Sequence, residues 1–246
     1  MIRDGDIFTG NQSGEDYEVG SLLGRGGFGV VHEAIRLADG SKFVVKAPVD
    51  LGKMKVKKID NEYQILKKLE EKGVDNVARA EENGVFQSTP GDVPLLIMQY
   101  ARGIELTKAM KNQIPTVDVR EILLKIARTM TEVHKAGYIH RDLKPDNIFV
   151  DDVGGRNDVT IIDFGIAAVK DDSNTFANTT SVAATPFYAP PEQMNGTVSI
   201  GNDIFSLGAT GYAMLVGEAD LARDVQNQIS PPYDPYYKFQ TKTIED

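Results

Sequence analysis

The sequence predicts an α+β chain in two lobes, an antiparallel β-rich N-terminal lobe with one helix and a mainly helical C-terminal lobe. Three observations carry this reading. Residues 17–46 run in short alternating stretches rich in Gly, Val and Phe and end in FVVKA, the pattern of hairpin strands. Residues 54–72 place Ile59, Tyr63, Leu66 and Leu69 at spacings of three and four among strong helix formers. Beyond residue 103 the apolar periodicity is mainly helical, above all across 117–136, where it stops at Gly137, a C-terminal cap.

Taken in order, MIRDGDIFTGNQSGEDYEVG carries acidic residues and glycines where a secretory leader carries basic residues and an apolar run, so it reads as an ordinary start. The alternating stretches from Tyr17 read as the first three strands of a small sheet. VPLLIMQYARG is a continuous apolar run followed by Arg102 and Gly103, a buried strand leaving its sheet through a connector. This divides the chain into an N-lobe at 1–98, a hinge at 99–103 and a C-lobe at 104–246. NIFVDD and DVTIIDFG interrupt the helices as a hairpin would. Asp203 opens DIFSLGATGYAML, where its simplest role is helix N-cap. SPPYDPYY reads as irregular chain.

Composition narrows the function classes. Of 246 residues 41% are hydrophobic, enough for a sizeable core. The longest mostly apolar stretch, 207–216, falls well short of the roughly 20 residues a spanning helix needs. No cysteine is present, which excludes disulfides, thiolate zinc sites and cysteine nucleophiles and fits a cytoplasmic protein. A net charge of −9 argues against nucleic acid and anionic membrane as partners. Lys53, Lys55, Lys57, Lys58, Lys67, Lys68 and Lys72 read as a solvated helix face.

Within this frame GRGGFGVV sets Gly24, Gly26 and Gly29 in a G-x-G-x-x-G-x-V pattern. The same glycine spacing marks dinucleotide turns, but those run from a strand into a helix, whereas VVHEAI continues in strand-like alternation. The glycines are therefore a hairpin flap whose bare backbone N–H groups can approach phosphate oxygens. Lys46, in FVVK, can reach phosphates beneath the flap, and Glu62 on the following helix is the best-placed anion to hold it. In HRDLKPDNIFV, Asp142 can accept a hydroxyl proton, Lys144 can neutralise a moving phosphoryl group and Asn147 can bind a metal through its amide oxygen. Asp163, in IIDFG, supplies a second hard-cation ligand.

On these motifs the chain resembles the eukaryotic-type protein kinases and is most similar to their bacterial serine/threonine branch, over residues 17–217. The resemblance implies that Gly24, Gly26 and Gly29 cover the phosphates of ATP and that Lys46, paired to Glu62, holds two of them. It implies that Asp142 is the catalytic base or orienting group, that Asn147 and Asp163 hold Mg2+ or Mn2+, that Phe164 packs against Leu66 and His140, and that Asp203 is a buried carboxylate accepting backbone N–H bonds from the catalytic loop. Met98 is similar to the gatekeeper and Gln99 to Ala101 to the adenine-binding hinge, with Val31, Val44 and Phe149 completing the nucleotide set. Lys144, and Thr185 before FYAPPE, are marks of kinases whose acceptors are protein Ser and Thr hydroxyls. Arg141 beside Asp142, with Ser173, Thr175, Thr179, Thr180 and Ser181 downstream, implies a phosphate-ordered loop, and Thr179 and Thr180 are the expected autophosphorylation sites.

The chain departs from the family in three places. Val44 stands where alanine is usual and would press on the adenine pocket. Pro190, Pro191 and Glu192 replace Ala-Pro-Glu. After the helix that Asp203 opens, about 30 residues follow where the family adds three helices, and Arg223 is a poor substitute by spacing for the arginine that usually pairs with Glu192. The expectation is a fragment or a compact kinase whose lower lobe is completed by its own tail, a second copy or another partner. A catalytically weak kinase-fold scaffold and a small-molecule phosphotransferase are the alternative readings.

Overall fold

The computed structural model describes residues 2–27, 29–88, 91–112, 114, 116–151, 157–169, 187–218 and 221–222. Thr179 and Thr180, with Ser173, Thr175, Ser181, Thr185, Arg223 and the proline-rich 230–237 stretch, lie outside the described residues. The chain divides into two units, one of Met1–Ala101 with Asp163–Gly165, the other of Arg102–Ile162 with Ile166–Asp246.

Unit one is built on strands β1 (Ile7–Gly10), β2 (Asp16–Arg25), β3 (Gly29–Arg36) and β4 (Lys42–Pro48), helix α1 (Lys53–Glu71), and strands β5 (Ala80–Phe86) and β6 (Val93–Gln99). The strands close into an antiparallel barrel in the order β1-β2-β3-β4-β6-β5. Period-two alternation turns Tyr17 and Val19, Val30 and Ala34, Phe43, Val45 and Ala47, and Leu95 and Ile97 into one buried core. The stretches from Tyr17 are therefore the second to fourth strands, because β1 precedes them and pairs with both β2 and β5. Helix α1 packs on β4, β5 and β6 and buries Ile59, Glu62, Ile65, Leu66 and Leu69. Its lysines lie on the other side, where Lys55 and Lys67 make solvated pairs with Asp50 and Glu70.

Unit two opens with β7 (Ile104–Glu105), α2 (Leu106–Met110) and α3 (Thr116–Lys135). Then follow β8 (Tyr138–Ile139), a 3-10 turn at Pro145–Asn147, β9 (Ile148–Asp151), β10 (Asp158–Ile161) and β11 (Ala168–Val169). Helices α4 (Pro191–Met194) and α5 (Ile200–Val216) follow. Strands β10, β9 and β7 form one antiparallel sheet, and β8 pairs with β11. Helices α3 and α5 pack closely at Gly211, where a Cβ would stand 2.9 Å from Leu123. Between them runs a groove of about 450 Å³ lined by Met130, Thr131, His134, Ile200, Ile204 and Leu207, with Ile204 51% exposed. Among the described residues no helix is long and apolar enough to cross a membrane.

The start of α5 corrects the reading of Asp203 as N-cap. The cap is Ser199, whose backbone N–H donates to Asn202 Oδ1 at 2.7 Å, and Asp203 lies inside the first turn, where its carboxylate is free to serve another loop.

The turn at Gly103 has φ +83°, and a Cβ there would run into the Val150 carbonyl and the backbone of Asp151 in β9. Gly73, at φ +70°, faces open space. Urea unfolding is expected to show Gly103→Ala costing about 3 kcal/mol or more, because backbone must move, against about 1–2 kcal/mol for Gly73→Ala, which meets only the left-handed penalty.

Candidate active site

In unit one the site is organised by a buried ammonium. Lys46 sits on β4 at an outward position, and its neighbour Gly29 on β3 leaves room for its stem, since a Cβ there would meet Lys46 Cε at 3.2 Å and the Ala47 carbonyl at 3.0 Å. Lys46 Nζ donates to Glu62 Oε2 at 2.6 Å and to Asp163 Oδ1 at 2.7 Å. The lysine is buried and Glu62 is 1% exposed, whereas the Asp163 side chain is 42% exposed. Burial alone would lower the Lys46 pKa, but Asp163 and Glu62 outweigh it and hold the group above its ordinary value. Glu62 is pushed up by its own burial, with Lys46 pulling against that.

One cation shared by two carboxylates leaves the cluster negative, and the more exposed of the two is Asp163, a hard oxygen donor. These features fit a divalent cation completed by phosphate oxygens and water. Asp163 takes φ +64°, and its Oδ1 also accepts from the Gly165 N–H at 3.2 Å. Gly165 is a further site residue that the sequence reading did not single out. A Cβ there would stand 3.0 Å from Asp163 Oδ1 and 3.1 Å from Glu62 Oε2, pressing on the charges themselves. Phe164 and Leu66 are both buried, at 0% and 1% exposure.

The remaining nucleotide candidates of this unit share the Lys46 face. Val31 is paired with Lys46 and Val44 with Met98, so period-two alternation sets Val31, Val44 and Met98 on the same side as the lysine, all half-buried. Gln99 ends β6 exposed, and Ala101 follows it half-buried. Gly24 pairs with Val31, and the Gly26 N–H donates to the Gly29 carbonyl at 2.9 Å, closing the hairpin tip, while a Cβ at Gly24 would meet nothing within 4 Å.

Unit two holds the candidates for acceptor chemistry. Asp142 Oδ2 receives Lys144 Nζ at 2.9 Å and Asn147 Nδ2 at 3.0 Å, and Nδ2 also donates to the Asp142 carbonyl at 2.8 Å. With its amide nitrogen so engaged, Asn147 keeps Oδ1 for a cation, the atom a hard metal would take. The Asp142 N–H donates to His140 Nδ1 at 3.2 Å, so the ring proton is on Nε2, which donates to the Ile162 carbonyl at 2.9 Å. Phe149, half-buried, lies on β9 directly after this loop.

The loop is held from below by Asp203. Its Oδ1 accepts from the Arg141 N–H at 2.8 Å, and its Oδ2 accepts from the His140 N–H at 2.9 Å and from His134 Nε2 at 2.8 Å. Arg141 has φ +70°, a left-handed conformation costly for a side chain of that size, and the Asp203 bonds fix the peptide group before it. Gln193 Nε2 closes the other side on the Arg141 carbonyl at 2.8 Å. His134 and Gln193 had no sequence signal, since neither belongs to a motif and each acts across tens of residues. Asp203→Asn retains one carbonyl oxygen for three donors, and urea unfolding is expected to show a loss of about 2–4 kcal/mol.

Comparison with known proteins bears on both halves. The probable serine/threonine-protein kinase PknB of Bifidobacterium longum is 31% identical over 222 residues, covering 86% of this chain and 32% of the relative. The serine/threonine-protein kinase PknB of Mycobacterium tuberculosis is 30% identical over 223 residues, 88% of this chain and 35% of the relative. The probable serine/threonine-protein kinase CPE1738 of Clostridium perfringens is 33% identical over 208 residues, 83% of this chain and 29% of the relative. The chain thus spans about a third of the length of these relatives. The Protein kinase domain family matches residues 17–240, taking in the Lys46 cluster and the Asp142 loop alike. By that match, with the charged groups arranged as described, this chain belongs to the protein kinase domain family.

Proposed function

We propose that the chain transfers the γ-phosphoryl group of ATP, with Mg2+ or Mn2+, to Ser and Thr hydroxyls of proteins. The observation that carries this reading is Lys46 buried between Glu62 and Asp163, a fixed cation on the sheet face that also bears Val31, Val44 and Met98. An ammonium so held meets phosphate oxygens without reorganising. The flap of Gly24, Gly26 and Gly29 covers the phosphates, and the three apolar side chains take the base. Asn147 and Asp163 would hold the divalent cation, which supplies charge neutralisation on the phosphates when bound.

Asp142 accepts the proton of the acceptor hydroxyl as its oxygen bonds to the γ-phosphorus and the bond to the bridging oxygen of ADP breaks. Lys144, already 2.9 Å from Asp142, offsets the charge that moves. Lys144 also supports Ser and Thr over Tyr as acceptors by its family role. Thr179 and Thr180 are proposed autophosphorylation sites. A cytoplasmic location is proposed from the absence of cysteine. The exposed Ile200 and Ile204 of α5 support a second copy or a protein partner seated on unit two.

Asp142→Asn is expected to lower transfer of labelled phosphate to a basic protein substrate by about a thousandfold while ATP binding and the unfolding temperature change little. Transfer equal to wild type would sink the assignment. Incubation with Mg-ATP followed by mass spectrometry is expected to find phosphate on Thr179 or Thr180 in the wild-type chain and on neither in Asp142→Asn; both bare in an active wild type would remove them as sites.

A further inference from the structure

Strand β5 reads AEENGVF, and its inward position is held by a carboxylate: Glu82 is 3% exposed in a barrel whose other inward side chains are mostly apolar. A buried carboxylate costs several kcal/mol unless its oxygens are satisfied. Among the described residues no cation is bonded to it. Glu82 Oε2 accepts from the Gln12 N–H at 2.8 Å and the Ser13 N–H at 3.0 Å, and Oε1 accepts from Ser13 Oγ at 2.5 Å and Tyr17 Oη at 2.8 Å. Gly10 completes the receptor, because a Cβ at that position would overlap the carboxylate. Burial and then the bond to Glu82 push the Tyr17 phenol up to about 12, keeping it a donor.

Every one of those donors but Tyr17 precedes residue 17, where the family match begins. The same segment buries Ile2 and Phe8, stacks Phe8 on Tyr17 at 5.3 Å between ring centres, and pairs β1 with both β2 and β5. On its other side β5 is one of the strands on which α1 rests, and α1 carries Glu62. A chain of packed contacts within unit one therefore runs from the turn at Gln12 and Ser13 through Glu82 and β5 to α1 and the Lys46–Glu62 pair.

We propose that residues 2–16 are a working strap of the nucleotide-binding unit and that Glu82 is a positioning residue, setting α1, and through Glu62 the Lys46 ammonium, by locking β5 to that strap. This rests on the reading of the Lys46 face as an ATP site. Glu82→Gln keeps the volume and removes the charge that receives four donors. Ser13→Ala removes one donor, and Ser13→Asp sets a like charge against the carboxylate.

The test uses the full chain, well below its unfolding temperature. Without nucleotide, amide hydrogen exchange across residues 59–66 is expected to quicken about tenfold in Glu82→Gln, more in Ser13→Asp and less in Ser13→Ala. In phosphoryl transfer, the KM for ATP is expected to rise about fivefold in Glu82→Gln with kcat nearly unchanged, since the hold on the phosphates loosens while the Asp142 loop does not. A lower unfolding temperature with unaltered α1 exchange and unaltered KM would make Glu82 a barrel lock only and overturn the proposal. Should the wild-type chain transfer no phosphate, the kinase reading fails, while the exchange arm still decides the role of Glu82. Should Glu82→Gln not fold, Ser13→Ala carries the same two readouts.

Discussion

An ammonium group taken out of water must be given oxygen partners, and in unit one that demand is met at Lys46 by two carboxylates from different parts of the chain. Strand β4 delivers the cation, α1 delivers Glu62, and the Asp163–Gly165 stretch delivers the second anion. Strand β4 and α1 cannot part without leaving Glu62 buried and unpaired, a state costing about 3–5 kcal/mol, whereas Asp163 is 42% exposed. The surrounding choices follow from this. Gly29 and Gly165 lack side chains where a Cβ would crowd the lysine stem or the carboxylates, and α1 buries Glu62 on the same face as Ile59, Leu66 and Leu69.

Unit two solves a related problem with backbone in place of a cation. The Asp203 carboxylate is 1% exposed and is satisfied by two successive backbone N–H groups and the His134 ring. Arg141 itself is left-handed, with Asp203 bonded to the peptide group before it and Gln193 Nε2 to the carbonyl after it. Asp142 follows at once and leaves this anchor aimed at Lys144 and Asn147. The position of Asp142 is thus inherited from the anchored backbone that precedes it.

The charged centre was legible because its chemistry demands particular residue types at short, fixed spacings: HRDLKPDN and IIDFG announce themselves within a few residues. Helix α1 was legible by periodicity and strand β6 as a continuous apolar run. Strand β1 was not, since IFTG offers one buried phenylalanine before a glycine, too little for a period of two to register. Strand β5 escaped for the opposite reason, because its decisive inward residue is Glu82, and what makes a carboxylate acceptable there lies 65 or more positions away. The cap of α5 was open to a closer reading, as Ser199 and Asn202 have the spacing of a capping box, but Asp203 was the more conspicuous acid.

Closure of the barrel has a practical side. A strand at the rim of an open sheet shows a row of unsatisfied N–H and C=O groups that invite another chain to add on. With β1 between them, neither β2 nor β5 is a rim. A fragment cut at Tyr17, the point at which relatedness to the family becomes detectable, would expose both at once, together with the apolar lining that Ile2 and Phe8 cover. Such a piece would be sticky for reasons unrelated to its chemistry. Residues 2–16, ahead of the recognisable domain, are what let its sheet remain solitary.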